Sequence, residues 1–255
     1  MADAPLLDGV LRWLYDNAPI ARSEVRKAIR MGVGGRDVRY RNLQWRCEPK
    51  DNSVERSLWL YGVTDEEEEI DWLLEKIPAG GAFCDIGANC GIYSLSLRAG
   101  GVARILAIEP NPIMRARLLA NCALNGIDDI ALAPLAVGDA AAKATLRLGS
   151  RWDYGQASLA RAAGEAIEVE MRPLTAILDA HEFRRLDALK IDVEGFEDSA
   201  LAPFLRDAPD DLLPNVMVVE HLHAKTWRAD LEAWAKARGY REEKRTKNNL
   251  LMARS

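Results

Sequence analysis

Short apolar runs alternate with stretches of helical periodicity from residue 82 to residue 219, and this alternation limits the fold more than any other feature. The runs are residues 82–86, 105–108, 130–136, 186–191 and 216–219, and residues 115–124 show the helical pattern between them. Strands with so few polar positions must be covered on both faces, and βαβ crossovers do that. The pattern predicts an α/β fold: a doubly wound, mainly parallel sheet with helices on both faces. Tyr240, Arg241 and residues 250–252 read as a closing pair of strands.

Upstream, Leu7, Val10, Leu11, Leu14, Val25 and Ile29 recur at helical spacing, and Pro19 interrupts them, so two short helices are predicted over residues 6–30. Residues 37–61 read as strand-like, with a turn at residues 49–52. Thr64 reads as the N-cap of a helix whose first turn is acidic and whose buried stripe is Ile70, Leu73, Leu74 and Ile77. The expected division is a small helical and β-hairpin cap over residues 1–63, followed by the main domain over residues 64–255.

The formal charge of −5 excludes a general nucleic-acid binder, because affinity for phosphate backbone comes from clustered Lys and Arg. No window reaches the roughly 20 apolar residues of a membrane span, and no secretory signal is read, so a soluble, cytoplasmic protein is expected. Cys47, Cys84, Cys90 and Cys122 form no C-x-x-C pair and have no His at ligand spacing, which argues against structural zinc. Free thiols fit a reducing compartment.

Residues 83–93 run from a buried strand through a Gly-bearing loop into a helix, the place where such folds bind ligands. Gly87 and Gly91 permit a tight turn and close approach of backbone to ligand. Asp85, two residues before the first Gly, would repel a pyrophosphate and suit the cationic amino group of a methionyl moiety. The G-x-G-x-x-G of a dinucleotide site is absent. Glu109 ends the next strand, where an acid can accept from both ribose hydroxyls. In Ala136-Val137-Gly138-Asp139, Ala136 or Val137 can flank an adenine; Asp139 either accepts from its amine or is an ordinary turn residue. These features favour S-adenosyl-L-methionine over a dinucleotide.

On the acceptor side, Asp192 and Glu194 sit one residue apart before Gly195, so an extended segment presents both to one cleft. One would orient the acceptor or the cofactor's amino group, and the other would act as base. The alternative is that Asp192 holds loop backbone and Glu197 simply starts a helix. His221 and His223 follow the run at 216–219 with the same spacing, and histidine is the natural base near neutrality. With nearby acids this pair could instead hold a divalent metal, although no metal is expected here. Residues 150–159, with Trp152 and Tyr154, form a segment able to close over the ligands.

Four blocks in order resemble the FkbM family of S-adenosylmethionine-dependent methyltransferases: residues 85–93, 109–112, 136–139 and 189–197. The resemblance spans residues 58–252, and Leu189-Lys190-Ile191-Asp192-Val193-Glu194-Gly195-Phe196-Glu197 is its most specific part. It implies a Rossmann-like class I methyltransferase fold with a seven-stranded sheet. It also implies a cofactor site drawn from Asp85, Gly87, Ala88, Asn89, Gly91, Tyr93, Glu109, Pro110, Asn111, Ala136, Val137, Asp139 and Asp192. The implied reaction is methyl transfer to a hydroxyl or carboxyl of a small molecule, natural product or glycan. Residues 1–57 carry no motif of the family. An NAD-dependent oxidoreductase on a related fold, or a non-catalytic S-adenosylmethionine-binding module, are the alternatives.

Overall fold

The computed structural model describes residues 9–11, 13, 14, 17, 34–149, 153–160 and 165–254. The helices predicted over residues 6–30 therefore lie outside the described residues, apart from helical positions 9–11, 13, 14 and 17. Strands β1 (Arg36–Tyr40) and β2 (Leu43–Cys47) form an antiparallel hairpin, followed by the expected turn. Residues 53–61, expected to be extended, form helix α1 (Ser53–Tyr61) instead. Asn52 caps it by accepting from the Glu55 N–H, Gly62 closes it at φ 72°, and Leu58 and Trp59 are buried on its inner side. An apolar Leu-Trp-Leu run read in isolation suits either element, and the cap decides.

Helix α2 (Glu67–Lys76), with Glu66 at its N-cap, starts two residues later than predicted. The Thr64 hydroxyl meets the Tyr40 hydroxyl and accepts from the Glu66 N–H, so Thr64 organises the approach to the helix rather than its first turn. The chain then alternates as β3 (Ala82–Ile86), α3 (Ile92–Ala99), β4 (Arg104–Ile108), α4 (Pro112–Leu124) and β5 (Ile130–Ala133). The apolar run at 130–136 is not one strand. Pro134, which lacks an N–H, ends the pairing, and β6 (Ala136–Val137) joins another sheet.

That second sheet, order β6-β8-β7, contains β7 (Ala142–Arg147) and β8 (Ala166–Arg172), whose alternating residues form no continuous apolar run. Then follow α5 (Leu174–Ala180), β9 (Ala188–Ile191), α6 (Glu197–Asp207), β10 (Val216–Glu220), α7 (Leu231–Ala237), β11 (Tyr240–Arg245) and β12 (Asn249–Arg254). The main sheet has seven strands in the order β11-β12-β10-β9-β3-β4-β5. The pairs β10–β9, β9–β3, β3–β4 and β4–β5 are parallel, whereas β12 is antiparallel to β10 and β11.

Alternation along these strands builds one core on each face. Phe83, Ile105, Ala188 and Val218 pack with Leu58, Ile70, Tyr93 and Leu118, from α1 to α4. Cys84, Leu106, Leu189 and Met217 pack with Ile177, Leu201 and Leu231, from α5 to α7. Helices thus cover both faces, as expected. The hairpin shares the first core, and its β2 edge is held by α4: Asn121 Oδ1 accepts from the Arg46 N–H at 2.9 Å, and Asn125 Oδ1 from the Gln44 N–H at 2.8 Å. All four cysteines are buried free thiols. Among the described residues no helix is long and apolar enough to cross a membrane.

Candidate active site

Strand order reverses at β3, whose chain continues to β4 on one side while β9 lies on the other. A cleft opens beyond the carboxyl ends of these three strands, enclosing about 950 Å3 including its solvent-open mouth. Ligand sites are expected at such a reversal. Its walls come from the β3–α3 loop, the end of β4, residues 135–137, the loop after β9, the start of α1 and residues 155–159.

The β3–α3 loop is built around Gly87, at φ 76°, and Asn89, at φ 53°. A Cβ on Gly87 would stand 1.9 Å from the Asp192 carbonyl oxygen, so only glycine lets the two motif loops touch. Glu109 binds this loop to the next. Its Oε2 accepts from the Asn89 N–H and its Oε1 from the Asn111 N–H, both at 2.8 Å. Burial pushes Glu109 up to about 7, and these two backbone donors work against that rise. Asn52 donates to Asn89 Oδ1 at 2.9 Å, tying α1 to the same loop.

Several expected residues line this cleft: Gly87, Ala88, Asn89, Tyr93, Glu109, Pro110, Ala136, Val137, Asp192 and Glu194. Others do not. Gly91, at φ 95°, packs its Cα beneath Leu95 and Leu118, and Asn111 is the buried N-cap of α4, donating to the Tyr154 carbonyl at 3.0 Å. Asp139 is exposed in its turn and contributes nothing to the wall, which leaves the turn-residue alternative. Residues 155 and 157–159 do form part of the wall, but Trp152 lies outside the described residues.

Asp85 does not line the cleft. It pairs in register with Lys190 across β3 and β9, so both side chains enter the same face of the sheet. Its carboxylate is fully buried, accepts from the Ser94 hydroxyl at 2.6 Å, and lies 3.5 Å from Lys190 Nζ. The cleft-facing group is therefore Lys190, which also donates to the Gly87 carbonyl at 2.8 Å and sits 5.2 Å from the Tyr93 ring centre. Asp85 stands behind the wall, against Lys190 and Ser94. Burial works against the Lys190 charge, but Asp85, Asp192, Glu66 and Glu109 outweigh it and hold its pKa above the ordinary value.

The residue that sequence reasoning misses is Glu66. In the sequence it is one acid in a run at a helix start, yet it turns into the cleft with Oε2 enclosed and without a hydrogen-bond partner. Burial pushes it up to about 7. The Tyr93 hydroxyl is likewise enclosed and unpartnered.

Asp192 and Glu194 both face the cleft, but the loop carrying them is not extended: Glu194 has φ 56° and Gly195 φ 98°. Glu197 shapes it, with Oε1 accepting from the Val193 and Gly195 N–H groups at 2.9 and 3.0 Å and Oε2 from Trp227 Nε1. Ser158 donates to the Glu194 carbonyl at 2.7 Å, fastening the 155–159 wall to this loop. The two histidines separate because β10 ends at Glu220 and the chain turns. His221 Nε2 meets the Thr246 carbonyl at 3.3 Å, away from the cleft. His223 does not line the cleft either; its Nε2 lies 3.4 Å behind Glu194 Oε2. Glu220 is buried beside these acids; desolvation first, then Asp192, Glu197 and Glu194, push it up to about 10.

Comparison with solved structures gives matches to methyltransferases. A protein from Streptococcus mutans described as a SAM-dependent methyltransferase aligns at 11% identity and TM-score 0.52, covering 87% of this chain and 56% of its own. SMU.776, a methyltransferase solved with SAH, aligns at 9% identity and TM-score 0.51, with 87% and 56% coverage. TYW2 of M. jannaschii, solved with AdoMet, aligns at 13% identity and TM-score 0.43, with 88% and 89% coverage. This chain thus spans little more than half the length of the first two. The shared feature is the class I methyltransferase fold, an α/β architecture around the seven-stranded sheet. No curated protein matches by sequence. The family model for the methyltransferase FkbM domain matches residues 85–242, more than half of the 255-residue chain, and the protein belongs to that family.

Proposed function

We propose that this protein transfers a methyl group from S-adenosylmethionine to an oxygen, a hydroxyl or carboxyl, of a small molecule or glycan. The observation that carries the cofactor reading is the charge of the cleft wall. Four carboxylates, Glu66, Glu109, Asp192 and Glu194, face it, and its one cation among the described residues, Lys190, is already committed to Gly87 and Asp85. Such a wall repels a pyrophosphate and attracts a ligand that carries an ammonium and a sulfonium. The unpartnered Glu66 Oε2 and Tyr93 hydroxyl are polar atoms whose burial a ligand would compensate. SMU.776, which shares the fold, was solved with SAH.

In this reading Glu66 takes the ammonium, Glu109 the ribose hydroxyls, and Ala136 and Val137 flank the adenine. S-adenosylmethionine, when bound, supplies a methyl group on sulfur that an acceptor oxygen displaces in line. This chain positions the acceptor at the Asp192–Glu194 end, and one of those carboxylates receives its hydroxyl proton; a placed base contributes roughly 10²–10⁴-fold. Alignment of the reactants contributes more, up to about 7–11 kcal/mol. Residues 64–255 carry the cofactor site in this reading, and residues 1–63 form a separate cap, of which Ser53 and Val54 reach the cleft wall.

Calorimetric titration with S-adenosylhomocysteine and with NAD separates this reading from an oxidoreductase. Saturable binding of the first and none of the second is expected; the reverse would discard the proposal. Methyl transfer assayed over alcohol, carboxylate and amine acceptors then tests the oxygen preference and the non-catalytic alternative. Affinity for S-adenosylhomocysteine is also expected to rise with pH through about 7. Below that value the free protein holds protons on Glu66 and Glu109, which the ligand's ammonium and diol must displace. Each proton displaced weakens binding by up to about tenfold per pH unit. A flat profile from acid to alkaline pH would remove these two residues from the binding site.

A further inference from the structure

We propose that Glu194, Glu220 and His223 form a binding site for a divalent cation of the Mn2+ class, behind the acceptor end of the cleft. Resting on the methyltransferase reading, it assigns the site a means of fixing the acceptor-side carboxylate Glu194. One ligand atom from each of the three residues falls within 4.8 Å of the other two. Around an octahedral ion with bonds of about 2.1 Å, neighbouring ligand atoms lie about 3 Å apart and opposite ones about 4.2 Å. The 3.4 Å between His223 Nε2 and Glu194 Oε2 is close to the neighbouring spacing. Two carboxylates and an imidazole suit Mn2+, which takes hard oxygen ligands and tolerates nitrogen.

Clustered acids alone would be weak grounds. The independent observation is Glu220, which is 4% exposed and has Oε2 without any hydrogen-bond partner. A buried carboxyl oxygen aimed at other acids, with no donor facing it, is costly unless a proton or a cation sits between them. Lys190, the ammonium on the cleft wall, does not fill that role, because it is held by the Gly87 carbonyl and Asp85.

A second grouping, Asp192, Glu197 and Glu220, shares the same buried oxygen donor residue. Glu197 is the weaker ligand because both its oxygens already accept from the loop backbone and Trp227. It acts as a brace that keeps Glu194 in its left-handed conformation, at φ 56°, over Glu220 and His223. Asp192 remains on the cleft side. Glu194 belongs to the cleft wall as well, so a cation held behind it would fix that carboxylate at the acceptor end, while the acceptor's proton passes to Asp192.

The test is direct titration of the full-length protein with MnCl2, followed by electron paramagnetic resonance of free Mn2+, in parallel with calorimetric titration by S-adenosylhomocysteine. One saturable Mn2+ per chain is expected. Glu220→Gln and His223→Ala should each weaken it by at least about tenfold, the lower bound seen for losing even an outer partner of a metal site. His223 is only partly buried, so His223→Ala remains informative if Glu220→Gln does not fold. No saturable Mn2+ binding, or binding that His223→Ala leaves unchanged, overturns the proposal. A protein that binds Mn2+ as described but no S-adenosylhomocysteine sustains the cation site and overturns the methyltransfer reading. The converse result overturns the cation site alone.

Discussion

Alanine in place of Gly87 is expected to destabilise the protein by about 2–5 kcal/mol and to abolish binding of S-adenosylhomocysteine. Two costs add at this position. The backbone sits at φ 76°, and an L-residue there loses roughly 1–2 kcal/mol. The larger cost is contact: the new Cβ would lie 1.9 Å from the Asp192 carbonyl oxygen and 3.0 Å from its carbonyl carbon. These are backbone atoms, so relief requires the β3 and β9 loops to part, and forced overpacking costs about 1–3 kcal/mol on its own. Parting those loops also displaces Asp192 and Asn89, which line the cleft. Gly126 provides the control, since it has φ 63° and an added methyl there would meet nothing within 4 Å among the described residues. Gly126→Ala should show the conformational cost alone, about 1–2 kcal/mol, with ligand binding intact. Urea unfolding of the two variants measures the difference. Equal destabilisation would mean that the two motif loops do not meet as described.

This contact explains why the site is only partly legible in the sequence. Strands β3, β4, β9 and β10 are readable because each is buried on both sides, giving apolar runs with few interruptions. Strands β7 and β8 give no such run, because one face is exposed and polar residues alternate with apolar ones, as in AIEVEMR. The motif acids are visible as residue types, but their roles depend on register. Asp85 faces Lys190 because β9 inserts beside β3, a pairing between residues about a hundred positions apart. Glu66 is hidden for the opposite reason. Its neighbours Asp65, Glu67, Glu68 and Glu69 make a run that reads as helix-start chemistry, and only the turn at Thr64 separates the one acid that enters the cleft. The histidine spacing misleads because an i, i+2 pair shares a face only while the chain is extended, and the strand ends at Glu220.

Lys190→Met is expected to cost about 3–5 kcal/mol, the range for removing one partner of a buried ion pair. The ammonium is buried, and it answers three groups at once: Asp85 Oδ1 at 3.5 Å, the Gly87 carbonyl at 2.8 Å and the Tyr93 ring. Methionine fills much the same volume but leaves Asp85 fully buried with one hydroxyl donor, Ser94. Asp85→Asn should cost less, because the ammonium keeps its bond to Gly87, the Tyr93 face and the carboxylates of Asp192, Glu66 and Glu109. Combining Asp85→Asn with Lys190→Met removes both charges, and the double variant should be more stable than Lys190→Met alone. The cycle thus yields a favourable coupling energy for the pair. Ligand binding discriminates further. With Asp85 acting from behind the wall, Asp85→Asn should lower affinity for S-adenosylhomocysteine far less than Glu66→Gln does. A larger loss for Asp85→Asn would return the ammonium to Asp85 and require Lys190 to move aside when ligand binds.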